Sequence, residues 1–504
     1  MSDEYIFGAH MLEILTRGMY EDSKTIFREY VQNSCDSIDA AMKDGTLQEG
    51  EGRIEICLDD EERTIRITDN GTGIKSQDFR RVMGNVADSD KRRNENRGFR
   101  GIGRLCGMAY CRTVIFTAKF RGENIISRLE CNSGILRELL NDRDSSIRKY
   151  TASEVLELIN EFGTEKTDDT GAHYFIVELE GINDENTALL DYSGVKDYLS
   201  FTAPVPYSIT FDPFSPEIHK HAEELGLKID EYDIFLNDEQ IFKPYEITYH
   251  TKNGNDIISS LEFLDVRDEK GKVIAWMWFG ISSFRGQIDR KQYLMWGIRL
   301  RKGNIQIGNE YTMQKFFTED RGNRYFIGEL FCVDEGLIPN ARRDYFNENQ
   351  ECAEFDSAMR KYAEVLANIY KRGSDLNSSF RKIKQGDYAA TEIKHRINNN
   401  YYEDTESLGK ANAELEQAES ETAKEQKRFD NISSSSAILC KVAGNIQNRD
   451  KQLTQAEQPL PKPKPKYTQN ELRLIRKIFT IIHKELGNLS SNVVKKIEEG
   501  LGLP

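Results

Sequence analysis

Residues 28–41, REYVQNSCDSIDAA, read as a helix with three distinct faces. At 3.6 residues per turn Glu29, Asn33 and Asp36 stack on one line, which Ala40 extends. Phe27, Tyr30, Val31 and Ile38 form an apolar face, and Arg28, Gln32 and Asp39 read as an ordinary solvated one. A helix with a core side and a water side has no structural need of a further narrow stripe of Glu, Asn and Asp. Alone, the stripe fits an ordinary polar i,i+4 row as well as a site, so what the rest of the chain places against it decides.

Two further segments bear on that question. ITDNGTGI, residues 67–74, reads as a strand that delivers Asp69 at its end and then turns through Gly71 and Gly73. A carboxylate fixed there can accept from an exocyclic amine, and the glycines let the backbone pass close to a flat base; by itself the motif also fits a plain turn. RGFRGIGRLCG, residues 97–107, carries Gly98, Gly101 and Gly103 ahead of a helix start, where N–H groups can face phosphate. It is not a dinucleotide loop. It lacks the tight turn at the chain's first strand, has no appropriately placed acidic residue after a following strand, and lies downstream of the separate Asp69-containing turn.

Along the chain the elements alternate. Helical periodicity flanks Glu21-Asp22-Ser23, and Gly45 marks a helix stop. RIEICLDD and TIRITDNG alternate as paired strands, and GIRLRKGNIQIG turns at Lys302-Gly303-Asn304. AEFDSAMRKYAEVLANIYKR places Phe355, Met359, Tyr362, Leu366 and Ile369 on one helical side. Beyond residue 373 the texture becomes Glu/Lys/Ala-rich, and residues 431–458 are low in core formers. The expected organisation is a nucleotide-site domain over 1–187, an α/β domain over 188–372, a helical, coiled-coil-like region over 373–458, a Pro/Lys linker over 459–467 and a small helical segment over 468–504.

Composition sets limits. The net charge of −15 disfavours broad nucleic-acid binding. Cysteines at 35, 57, 106, 111, 131, 332, 352 and 440 form no C-x-x-C pair, so reduced thiols fit better than disulfides or a zinc ribbon. No apolar run is long enough for a membrane span, and the acidic start MSDEY does not read as a secretory signal. A cytoplasmic protein without membrane association is expected.

In order and spacing, Glu-x3-Asn-x2-Asp on a helix, Asp-x-Gly-x-Gly after a strand and Gly-x2-Gly-x-Gly opening a helix resemble the pattern of the GHKL ATPases. That family includes DNA gyrase B, MutL, sensor histidine kinases and the ninety-kilodalton heat-shock chaperones. The resemblance implies an α+β chain whose first domain is a Bergerat α/β sandwich holding ATP and Mg²⁺ under a lid of about residues 85–103. It implies Glu29 as general base, Asn33 as the Mg²⁺ ligand, Asp69 as the reader of adenine, and Asp36, Gly71 and Gly73 around the nucleotide. Asn85, Gly98, Gly101, Ile102 and Gly103 would line the phosphates from the lid.

The context is most similar to the heat-shock chaperone branch. LEILTRGMYEDSKTIFREYVQNSCDSID resembles its opening helices, and GELFCVDEGLIPNARRDYF resembles its middle-domain catalytic loop, here 336–347. That resemblance implies Arg343 on the γ-phosphate, with Arg342 as the alternative. One motif departs: the family's Gly-Thr appears as Thr170-Gly171-Ala172, leaving Thr170 to supply a hydroxyl. Nothing after residue 373 resembles the chaperones' dimerisation domain, so client chaperoning is not carried over.

The expected function is an ATP-hydrolysing conformational switch. Its lid and middle domain would close on Mg-ATP to remodel or regulate a protein partner, within a bacterial stress or phage-defence system, as a homodimer or higher oligomer. A MutL- or MORC-like DNA clamp and a non-hydrolysing nucleotide sensor are the alternatives; acidity disfavours the first and Glu29 the second.

Overall fold

The computed structural model describes residues 7–18, 22–86, 102–141, 150–456 and 478. Its first part contains α1 (His10–Glu13), a π-helical turn at Ile14–Gly18, α2 (Thr25–Lys43), β1 (Arg53–Asp59), β2 (Thr64–Asp69), α3 (Ser76–Gly84) and a 3₁₀ segment at Gly103–Ala109. It continues with β3 (Cys111–Lys119), β4 (Ile125–Asn132), α4 (Ser133–Asn141), α5 (Ala152–Ile159), β5 (Asn160–Lys166), β6 (Tyr174–Ile182), α6 (Tyr192–Thr202), α7 (Ser215–Glu224), β7 (Asp233–Leu236) and β8 (Glu239–Gln240).

The strands form one eight-stranded sheet in the order β5-β4-β3-β6-β2-β1-β7-β8. All neighbours are antiparallel except β1 and β7. The period of two sends Ile54, Ile56, Ile65, Ile67, Val114, Phe116, Val177 and Leu179 to one face, where they share a core with Ile26, Phe27, Tyr30, Val31 and Ile38 of α2. The other face is polar, with Arg66 opposite Glu178 in register and 3.1 Å from it. This is a two-layer sandwich with one wet face.

The predicted solvated face of α2 is not solvated. Arg28 is 6% exposed and Gln32 1%, and Asp39 accepts from the Tyr232 hydroxyl. The reason is tertiary: the helix is covered from a third side by α6, by Tyr232 and by the carbonyl of Arg342, which Arg28 Nη2 reaches at 3.1 Å. The C-terminal stop is as expected, with Gly45 at φ +79.

Strands β9 (Thr248–Thr251) and β10 (Gly254–Ile257) form a separate hairpin, and the second large sheet is built from β11 (Ser260–Arg267), β12 (Val273–Ile281), β13 (Gly297–Lys302), β14 (Ile305–Gln306) and β15 (Ile327–Cys332). The five-stranded order is β11-β12-β15-β13-β14. Gly303 and Asn304 turn the β13–β14 hairpin at φ +56 and +55, the left-handed pair a tight hairpin needs. Strand β12 is buried on both faces. Ala275, Met277 and Phe279 meet the helical side, and Trp276 and Trp278 enter an aromatic layer with Tyr207, Phe211 and Tyr245.

Inside that aromatic layer lies a buried charge network. Glu329 of β15 accepts from Arg301 Nε, from Lys243 Nζ at 3.1 Å, and from the hydroxyls of Tyr207 and Tyr245. Burial alone would raise the Glu329 carboxyl, but Arg301 and Lys243 outweigh it and hold it at about 2. Burial, with Arg301 nearby, brings Lys243 down to about 8.

Three helices follow: α8 (Gln350–Asn398), α9 (Thr405–Ser433) and α10 (Ala437–Ala456). Asn349 caps α8 by accepting from the Cys352 amide at 2.8 Å. Of the expected stripe, Phe355, Met359, Leu366 and Ile369 are buried and Tyr362 is half-buried with its hydroxyl donating to the Asp265 carbonyl, and α8 then runs unbroken through residues 372 and 373 for roughly 70 Å in all. It lies against α9 so closely that a Cβ on Gly386 would sit 2.0 Å from Thr422 Oγ1. The stretch that reads as poor in core formers returns to the second core through Leu439, Val442, Ala443 and Ile446, since four apolar residues at helical spacing suffice to dock one face.

Residues 1–449 form one compact unit, and a second begins at Asp450. The expected linker 459–467 and terminal segment 468–504 lie outside the described residues, apart from residue 478. Among the described residues no helix is long and apolar enough to cross a membrane. The α+β class and the helical C-terminal region are as the sequence predicts.

Candidate functional site

Strand β2 ends on Asp69, 2% exposed, whose Oδ1 accepts from the Gly71 amide at 3.0 Å. The turn after it is wedged on every side. A Cβ on Gly71 would lie 2.1 Å from Ser37 Oγ and 2.6 Å from the Ser37 carbonyl carbon, both on α2. Gly73 stands at φ +65, and a Cβ there would lie 2.0 Å from the Lys119 carbonyl oxygen at the end of β3. From just before β6, His173 Nδ1 is 2.8 Å from the Gly71 oxygen; a carbonyl only accepts, so Nδ1 carries the proton.

The α2 stripe faces this turn's neighbourhood with Glu29 and Asp36 buried, 8% and 4% exposed, and Asn33 half-buried. Glu29 is enclosed by named groups. A Cβ on Gly103 would sit 2.8 Å from its Oε2, so only glycine lets the loop lie there. Arg28 Nη2 and Arg343 Nε each lie 3.4 Å from its Oε1.

One residue on, the Tyr30 hydroxyl donates to the Arg104 carbonyl and accepts from the Gly107 amide, both at 3.1 Å. Burial pushes that phenol well above its ordinary pKa, which keeps it a neutral donor. The glycine-rich segment was expected to open an α-helix. It forms a 3₁₀ run at Gly103–Ala109, where Tyr30 satisfies two of the backbone groups a regular helix would pair internally.

Arg343 arrives on a tight hairpin. Pro339 bridges Phe346, the Asn340 amide donates to the Tyr345 oxygen at 2.9 Å, and the Arg343 amide donates to the Asn340 oxygen at 3.1 Å. Arg343 itself sits at φ +57, a left-handed backbone for a non-glycine residue. Its side chain is buried against Glu29, whereas Arg342 is exposed and offers its carbonyl to Arg28.

The structure thus gathers Glu29, Asn33 and Asp36 on one helix, Asp69, Gly71 and Gly73 on the turn packed against Ser37, and Gly103 and Arg343 around the Glu29 carboxylate. Ile102 is half-buried, with its oxygen accepting from Leu105. Asn85 is exposed at the end of α3, and its carbonyl accepts from Arg104. Thr170 is exposed in a turn made by Asp169, bonds Gly122 through its carbonyl, and makes no hydrogen bond to the Asp69–Gly73 turn among the described residues. His173, which the sequence did not single out, makes that contact. Gly98, Gly101 and most of the expected lid lie outside the described residues.

The residues present are of the kinds a nucleotide site uses: a buried carboxylate at Asp69, a glycine turn packed on α2 and β3, and Gly103 drawn close against Glu29. Among the described residues no group of three or more His, Cys, Asp or Glu side chains gathers as a metal cage. A Mg²⁺ held here would take one protein ligand and complete its shell from phosphate and water.

Residues 20–165 match the family model described as histidine kinase-, DNA gyrase B-, and HSP90-like ATPase. The chaperone protein HtpG of Psychrobacter arcticus is 29% identical over 133 residues, covering 23% of this chain and 20% of the relative. HtpG of Treponema denticola is 27% identical over 133 residues, 23% of this chain and 21% of the relative. HtpG of Buchnera aphidicola is 26% identical over 155 residues, 27% and 24%. The chain therefore spans about a fifth of the length of the curated relatives it matches.

Proposed function

We infer that this chain, whose residues 20–165 match the ATPase family model, binds ATP with Mg²⁺, hydrolyses it and uses the cycle to act on a protein partner. The observation that carries the reading is the meeting of Glu29 and Arg343, a carboxylate from the first sheet's helix and a guanidinium from the second sheet's loop, across the Gly103 opening.

Each group has a role in keeping with its surroundings. Asp69, at the end of β2, accepts from the exocyclic amine of adenine, and the Gly71–Gly73 turn, packed against Ser37 and the Lys119 carbonyl, fixes the backbone beside it. Asn33 supplies a neutral carbonyl oxygen to Mg²⁺, and Asp36 holds water beside the nucleotide. Mg-ATP, when bound, would supply the phosphoanhydride to be cleaved and the divalent charge that offsets its phosphates. Glu29 orients the attacking water and takes its proton, while Arg343 opposes the negative charge that develops on the γ-phosphoryl oxygens. Arg28 pins the loop by bonding the Arg342 carbonyl. Asn85, Ile102 and Gly103, with Gly98 and Gly101, would meet the phosphates from the lid.

The matched relatives are chaperone proteins, which favours a protein partner over DNA. A homodimer or higher oligomer and a cytoplasmic setting are part of the same reading. The test is nucleotide binding by titration calorimetry. Wild-type protein should bind ATP and release phosphate only with Mg²⁺, and Asp69→Asn should lose binding itself. ATP binding by Asp69→Asn at wild-type affinity would refute the assignment of the base site.

A further inference from the structure

Arg343 reaches Glu29 from a backbone conformation that arginine does not choose freely, and something must hold it. The left-handed φ of +57 carries a steric cost that persists only where the surroundings over-determine it. The hairpin's own bonds, Asn340 to Tyr345 and Arg343 to Asn340, close the turn but leave the Arg343 carbonyl to an outside donor. That donor is the amide of Gly308, at 2.8 Å.

Gly308 follows β14 on the five-stranded sheet, and its own position is tightly defined. Its φ is +66, and a Cβ would lie 2.0 Å from Thr312 Oγ1 and 2.6 Å from the Asp344 carbonyl oxygen, the residue directly after Arg343. The Thr312 hydroxyl in turn accepts from the Asn309 amide at 2.8 Å, and Gln306 Nε2 donates to the Gly308 oxygen at 3.1 Å. Behind the turn, the Ile307 amide donates to Leu300 at 2.8 Å and Arg301 ties the hairpin to Glu329. The loop that carries the arginine is thus moored, at the arginine's own peptide, to a rigid hairpin of the second sheet.

We propose that Gly308 is a positioning residue for the ATPase reaction: its amide and its missing side chain hold the Arg343 backbone in the left-handed conformation that aims the guanidinium at the Glu29 side of the site. This rests on the reading of Arg343 given above. Substitution should therefore act through Arg343 alone, on turnover and not on nucleotide affinity.

The experiment is a double-mutant cycle on the full chain, with kcat, KM and melting temperature measured for each variant. Gly308→Ala should lower kcat about tenfold with KM within about twofold, as loss of one well-placed interaction in the transition state does. In an Arg343→Ala background the same substitution should change kcat by less than about twofold. Thr312→Val, which removes the Asn309 acceptor without adding a clash, guards against a Gly308→Ala protein that does not fold; it should give a smaller loss of the same kind, again absent without Arg343. Equal fold-losses with and without Arg343, or a change in KM alone, overturn the proposal. If Arg343→Ala by itself turns over at the wild-type rate, the role of the arginine fails, and the inference with it; that outcome is read from a different variant and is not confused with the first.

Discussion

Arg343 Nε lies 3.4 Å from Glu29 Oε1, with both side chains about nine-tenths buried, although one belongs to the helix over the first sheet and the other to a loop leaving the second. The parts of the chain built on the two sheets therefore meet at a buried pair of opposite charges. Arg28 reinforces the junction by bonding the Arg342 carbonyl at 3.1 Å. A charge introduced or removed on either side of this contact is felt by both parts.

Arg343→Ala should slow ATP turnover by about a hundredfold while nucleotide affinity changes little, because a cation at the developing charge matters most in the transition state. Steady-state kinetics with a parallel binding titration separate the two. A large loss of affinity with turnover preserved would place the arginine in ground-state binding instead.

Gly71→Ala tests the base turn. The added Cβ would meet Ser37 Oγ at 2.1 Å and the Ser37 carbonyl carbon at 2.6 Å, so removing the hydroxyl cannot make room for it. ATP affinity should fall at least about tenfold in Gly71→Ala, and the Gly71→Ala/Ser37→Ala double variant should not recover it. Recovery would mean that the helix backbone does not border the turn.

Much of the site is legible in the sequence because it rests on local periodicity. Glu29, Asn33 and Asp36 follow from helix geometry, Asp69 from its place at the end of an alternating strand, and Gly73 from the turn that needs it. What stayed hidden depends on contacts between distant segments. Arg28 and Gln32 look solvated in a helix taken alone, and only the packing of α6 and the 340–343 loop buries them. His173 carries no motif, and its role follows only from the fold of β6 against β2. Helix α10 looks poor in core formers because its apolar residues gather in its first half, and Leu439, Val442, Ala443 and Ile446 become core only where the second core receives them.

Tyr30→Phe should cost about 1–3 kcal/mol of stability, because it leaves the buried Gly107 amide without its acceptor while changing little volume. Chemical denaturation measures this. An unchanged midpoint would mean that the 3₁₀ segment finds another partner.

Glu329 sets a pH dependence with a definite sign. Its carboxyl titrates at about 2 in the folded chain against an ordinary 4.5, so between those values the unfolded chain binds more protons. Its contribution is complete above about pH 4.5 and is lost as pH falls toward 2, with a total on the order of 3 kcal/mol. Glu329→Gln should be destabilised at neutral pH, since it leaves Lys243 and Arg301 without their buried anion, and the gap to wild type should narrow on acidification through this window. A gap that stays constant from pH 5 to pH 2 would remove Glu329 from the acid response.

The most direct test of the account is Glu29→Ala, assayed for ATP binding and for phosphate release under saturating Mg-ATP. The account predicts binding within a fewfold of wild type and turnover reduced to background, because Asp69, Asn33 and the glycine turn hold the nucleotide while the group that works on the water is gone. Hydrolysis at the wild-type rate by Glu29→Ala would contradict it.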